Sequence, residues 1–129
     1  MAGLSTYAQQ KLLDHLTGDV SYTMPTTYVG LFTAAPTDAG GGTEVSGGSY
    51  ARVALASKWG AASGTSKAIN ATVSFAAASA SWGTVTHFGI FDASSAGNLL
   101  GWAALTASKT VDSGDTLSFA SSALTVTLD

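Results

Sequence analysis

The chain has 129 residues, a length that fits one domain with a hydrophobic core of its own. Its net charge is −3 and only 10% of its residues are charged; the five basic ones (Lys11, Arg52, Lys58, Lys67, Lys109) are scattered, which excludes a phosphate-neutralising surface and so nucleic-acid binding. There is no cysteine, which excludes disulfides and thiolate metal sites, and the apolar runs are far shorter than the roughly 20 residues of a membrane helix.

Ala, Ser, Thr and Gly make up more than half of the chain, but aromatic and β-branched residues run throughout, as in a packed fold rather than a linker. The opening MAGLSTYAQQ has no basic region followed by an apolar core, so assembly in the cytoplasm is expected.

Leu4–Leu16 is the one good helix candidate. Ser5 is a natural N-cap, Leu4, Ala8, Leu12 and Leu16 recur every four residues with Tyr7 and Leu13 beside them, and Gly18 follows as a stop. A helix this short is not stable alone in water and must dock on the domain or on a neighbour. Thr27–Thr33 (TYVGLFT) is apolar on both faces, as a strand covered on both sides is. Ala34–Ser49 reads as a long Gly-rich loop with Pro36 and Gly40-Gly41-Gly42, a length that points to a functional or mobile segment.

Tyr50–Leu55 is the next expected strand, and Trp59-Gly60 punctuates. In Ala68–Phe75, Ile69, Ala71, Val73 and Phe75 alternate with Asn70, Thr72 and Ser74. Thr84–Phe91 is the strongest strand, Asp92–Asn98 its turn and Leu99–Leu105 its partner. Asp112–Asp115 marks another turn, and Thr116–Phe119 and Ala123–Leu128 finish the chain. The expected fold is mainly β: a compact β-sandwich or barrel of about seven short antiparallel strands with one N-terminal helix. One domain spans 1–129, with the helix at about 5–17 and the sandwich at about 27–128.

Little in the sequence suggests catalysis. Asp92, Asp112 and Asp115 fall where turns use carboxylates, and no acid pair shares a strand face. His87 shares its strand face with Val85 and Phe91, as a packed histidine does. His15 stands on the helix, and the two lack metal-ligand spacing. Ala93-Ser94-Ser95-Ala96-Gly97 is not a nucleophile elbow, since it precedes a strand. A hydrolase would have to draw on His87, Asp92 and Asp115. Neither a cofactor nor a metal is expected. Trp59, Trp82 and Trp102 each adjoin a glycine; core packing, interface anchoring and saccharide stacking are all open to them.

The segments AGLSTYAQQKLLDHLTG, TTYVGLFTAAPTDAGGGTEVSGGSYARVAL, WGTVTHFGIFDASSAGNLLGWAAL and KTVDSGDTLSF resemble, in order and spacing, a family of small tailed-bacteriophage virion proteins. Some members are labelled tail fibre proteins; others look like capsid decoration (cement) proteins. The resemblance implies a non-enzymatic structural protein of the phage particle. A fibre shaft is long and repetitive, whereas this chain is short and without repeats. The expectation is therefore decoration of the head: a homo-oligomer, a trimer, bridging copies of the major capsid protein. The alternative is a tail-associated host-recognition protein. Leu4, Tyr7, Leu12, Pro36, Tyr50 and Trp59 are the candidate interface residues.

Overall fold

Ser5 fixes where the helix starts. Its backbone is extended (φ −69°, ψ 161°), its N–H is bonded to the Leu100 carbonyl at 2.8 Å, and its Oγ accepts the Ala8 N–H at 3.2 Å. The structure is a computed structural model describing residues 3–23 and 25–127. Helix α1 covers Thr6–Leu16, and Gly18 behind it takes the left-handed conformation (φ +77°), as the sequence led one to expect. Leu4 is not helical: pinned through Ser5, it forms the short strand β1, Gly3–Leu4.

The remaining elements are β2 (Tyr28–Ala34), β3 (Thr43–Glu44), β4 (Val53–Ala54), β5 (Ser66–Ala68), β6 (Val73–Ser74), β7 (Gly83–Phe91), β8 (Leu99–Val111), β9 (Ser118–Phe119) and β10 (Thr125–Thr127). The main sheet runs β1-β8-β7-β2-β3, with β4 also on β2; β5 with β10 and β6 with β9 form two ribbons. Every pairing is antiparallel. The sheet is open, so the fold is a β-sandwich and not a barrel. It has ten strands among the described residues where about seven were expected: β1 and β3 form outside the expected strands, and expected strands are shortened or split.

Ala68–Phe75 is one such case. Ile69, Val73 and Phe75 are buried and Asn70, Thr72 and Ser74 exposed as the alternation implies, but the ladder stops between β5 and β6. Tyr50–Leu55 pairs only at Val53 and Ala54. The last alternation ends on Leu128, outside the described residues.

The core lies between the main sheet and the ribbons. Val29, Leu31, Val85, Phe88 and Ile90 meet Ile69, Val73, Phe75, Leu117, Phe119 and Leu124 there. Strand β7 breaks its own alternation. It moves from Val85 to His87 while β8 moves from Lys109 to Ala104, which leaves Leu105 to Ser108 outside the ladder. This irregularity turns Val85 into the core with Phe88 and Ile90, and His87 onto the opposite face. The expectation that His87 and Val85 share a face is thereby corrected; the His87 ring lies beside Trp102, centroids 5.9 Å apart.

The opposite face carries a second, smaller cluster of Phe32, Phe91 and Leu99, with Trp102 against it. Gly30 and Gly89 are cross-strand partners beneath it. A Cβ on Gly89 would come within 2.8 Å of Phe32 Cε1 and Leu99 Cδ1, and one on Gly30 within 2.9 Å of Phe91 Cε2 and Glu44 Oε2. These glycines let the stacked Phe32 and Phe91 rings (5.9 Å) lie against the backbone.

Candidate functional site

The face bearing Phe32 and Phe91 is covered by α1 and by the Gly-rich segment. That segment is folded onto the domain: Pro36 is fully buried, Thr37 and Gly40 close a tight turn on each other, and the Asp38 carbonyl accepts the Thr6 N–H at 2.9 Å. Trp102 Nε1 donates to Asp38 Oδ1 at 3.1 Å. Between helix and segment lies an open cleft of about 510 Å³, lined by Tyr7, Gln10, Phe32, Asp38, Gly41 and Asn98 among others. A second groove of about 670 Å³ runs beside the unpaired stretch of β8, from Leu105 and Lys109 to Asp115 and Phe119.

Three polar side chains clamp the Gly-rich segment to the sheet. Arg52 donates from Nη2 to Glu44 Oε1 (2.7 Å) and from Nε to Oε2 (2.8 Å), and the Tyr50 hydroxyl donates to Oε2 (2.6 Å). Arg52 Nη1 donates to the carbonyls of Ala93 and Ala96, and the guanidinium lies 3.4 Å from the Phe91 ring centroid. Tyr50 also accepts the Leu31 N–H at 2.9 Å. Burial pushes the Glu44 carboxyl up, but the hydrogen bonds from Arg52 and Tyr50 and the Arg52 charge outweigh it, so the net shift is downward. Burial, and then the bond to Glu44, raise the Tyr50 hydroxyl well above its ordinary value. The sequence left this clamp invisible, because Glu44, Tyr50 and Arg52 belong to no short motif.

The residues a hydrolase would need are occupied separately. Asp92 accepts from the backbone and side chain of Asn98, Asp115 accepts the Asp112 N–H, and His87 Nδ1 pairs with Thr86 Oγ1. Among the described residues no group of three or more His, Asp or Glu is placed to hold a metal. The Tyr22 hydroxyl is buried without a hydrogen-bond partner, and burial, with Tyr7 and Asp92 nearby, raises its pKa.

The candidate interface residues are not gathered in one place. Leu4 and Pro36 are buried in the protomer. Tyr7 is half-buried on the cleft wall. Tyr50 stacks on Phe75 and meets Trp82 edge-on. Trp59 is half-buried, with Nε1 donating to Thr27 Oγ1 at 3.0 Å. Only Leu12 is exposed, at 38%, and beside it the structure adds Leu13 (59%), Leu16 (80%) and Val20 (52%).

The sequence model of one protein family, described as podophage GP4 fiber I protein gp80, matches residues 3–127. The chain belongs to this family. The match runs through α1, the whole sheet and both ribbons, so the gp80 family description applies to the compact fold and not to an appended segment. No curated protein matches the chain. Family membership makes the chain a structural protein of the phage particle, as the sequence resemblance implied.

Proposed function

We propose that this gp80-family protein is a non-enzymatic structural module of a phage fibre, present in several copies at the tail or neck of the particle. The observation that carries this is the family match over residues 3–127 to a fibre protein. It shifts the balance from head decoration, which the sequence reading favoured, toward the tail-associated alternative. The fold suits such a role. The Gly-rich segment is clamped by Glu44–Arg52–Tyr50, and its two carboxylates, Asp38 and Glu44, are engaged internally, as in a rigid joint or terminal knob.

Head decoration stays as the second reading because the domain is compact and without repeats, unlike a shaft. In that case the partner would be the major capsid protein and the assembly a trimer bridging capsid subunits. Gold-labelled antibody on intact particles tests the two. Label on tail or neck appendages supports the fibre role; label spread over the head overturns it.

A further inference from the structure

The cleft between α1 and the Gly-rich segment, about 510 Å³, has the size of a ligand site, and its lining is pinned. The Thr6 N–H holds the Asp38 carbonyl at 2.9 Å, and Trp102 Nε1 holds Asp38 Oδ1 at 3.1 Å. Thr37 and Gly40 close their turn through two backbone bonds. Asn98 is fixed to Asp92 through its N–H at 2.7 Å and its Nδ2 at 3.0 Å. A preformed site of this kind loses little freedom on binding.

The lining brings the apolar cluster of Phe32, Phe91 and Leu99 together with polar side chains that have bonding capacity left. Asp38 uses Oδ1 on Trp102 and keeps Oδ2 to accept. Asn98 keeps its Oδ1 and the second hydrogen of Nδ2. Gln10 adds an exposed amide, donor and acceptor at once.

Charge narrows the ligand. No lining residue is Lys, Arg or His. Arg52 is engaged by Glu44, Ala93 and Ala96, and Lys11 Nζ lies over the Tyr7 ring, 5.6 Å from its centroid. An anion would therefore meet Asp38 and Glu44 without a cation to balance them. A wholly apolar ligand would strand the amides and Asp38 without partners. A neutral, hydroxyl-rich ring with an apolar C–H face satisfies both conditions. We propose that the cleft binds an uncharged saccharide, its hydroxyls paired with Asp38, Gln10 and Asn98 and its C–H face on the Phe32–Phe91–Leu99 cluster. This deepens the fibre reading, on which it rests only for the source of the sugar, a host surface; several copies would add weak single-site affinities together.

The test is saturation-transfer NMR of the purified chain with neutral oligosaccharides of glucose, galactose, rhamnose and N-acetylglucosamine at millimolar concentration, beside sialylated and phosphorylated counterparts. Neutral sugars are expected to receive saturation and the anionic ones not. Ala39→Trp sets a large ring on an exposed lining position and should abolish the signal; Gln10→Ala should weaken affinity by about tenfold. Both positions are exposed, so thermal unfolding of the variants should match the parent. No transfer to any neutral sugar overturns the proposal, as does transfer to the anionic ones alone. So does either variant binding as well as the parent. None of these results depends on where antibody labels the particle, so this inference and the fibre reading fail separately.

Discussion

Replacing Glu44 by alanine should destabilise the domain by about 3 kcal/mol. The change removes three short polar contacts, two from Arg52 and one from Tyr50. Arg52 is left with its side chain 7% exposed, holding only the Ala93 and Ala96 carbonyls and the Phe91 ring. Orphaning one member of a buried pair costs about 3–5 kcal/mol. The lower end applies here, because Glu44 is itself 26% exposed and the two carbonyls still solvate the guanidinium. With an unfolding entropy of about 2.1 cal/mol/K per residue, the midpoint should fall by roughly 10 °C. Urea unfolding gives the free energy directly. Glu44→Ala with Arg52→Ala should cost less than the sum of the single changes, since the double variant buries no unpaired charge. A single-variant loss below about 0.5 kcal/mol, or strict additivity, would refute the idea that the ion pair clamps the segment. The pH dependence adds a check. Glu44 is lowered in the folded state, so its contribution is full above the unfolded carboxyl value and is lost as pH falls through the folded one. The gap between wild type and Glu44→Gln should therefore be widest near neutrality and close in acid.

Tyr50→Phe should cost about 1–2 kcal/mol by leaving the Leu31 N–H without its acceptor. Because the Tyr50 pKa is raised on folding, wild type should lose stability relative to this variant as pH climbs above about 10, seen by urea unfolding in alkaline buffer. Gly89→Ala should cost about 1–3 kcal/mol, since its Cβ would sit 2.8 Å from Phe32 and Leu99; Gly114→Ala meets nothing within 4 Å and so reports the backbone strain of a positive φ without any steric clash. Ser5→Ala should cost about 1–2 kcal/mol, and circular dichroism should show the helical signal of α1 melting ahead of the sheet.

The parts of the fold legible in the sequence were those set by neighbours along the chain. Ser5 and Gly18 bound α1 because capping is local, and Thr84–Phe91 announced β7 by its composition. What could not be read depends on pairing at a distance. The shift of β8 against β7, which separates Val85 from His87, is written in no single strand. The Gly-rich segment reads as open chain because its restraints come from Thr6, Tyr50, Arg52 and Trp102. The apolar spacing of Leu4, Ala8, Leu12 and Leu16 was visible, but not that Leu4 would pair in the sheet as β1 or that Leu12 and Leu16 would stay exposed.

The most direct test of the fibre assignment is the copy number of this protein per particle, measured by quantitative mass spectrometry against the major capsid protein. A fibre at the tail or neck predicts a few to a few dozen copies. Hundreds, in fixed ratio to the capsid subunits, would contradict it and return the domain to the head lattice.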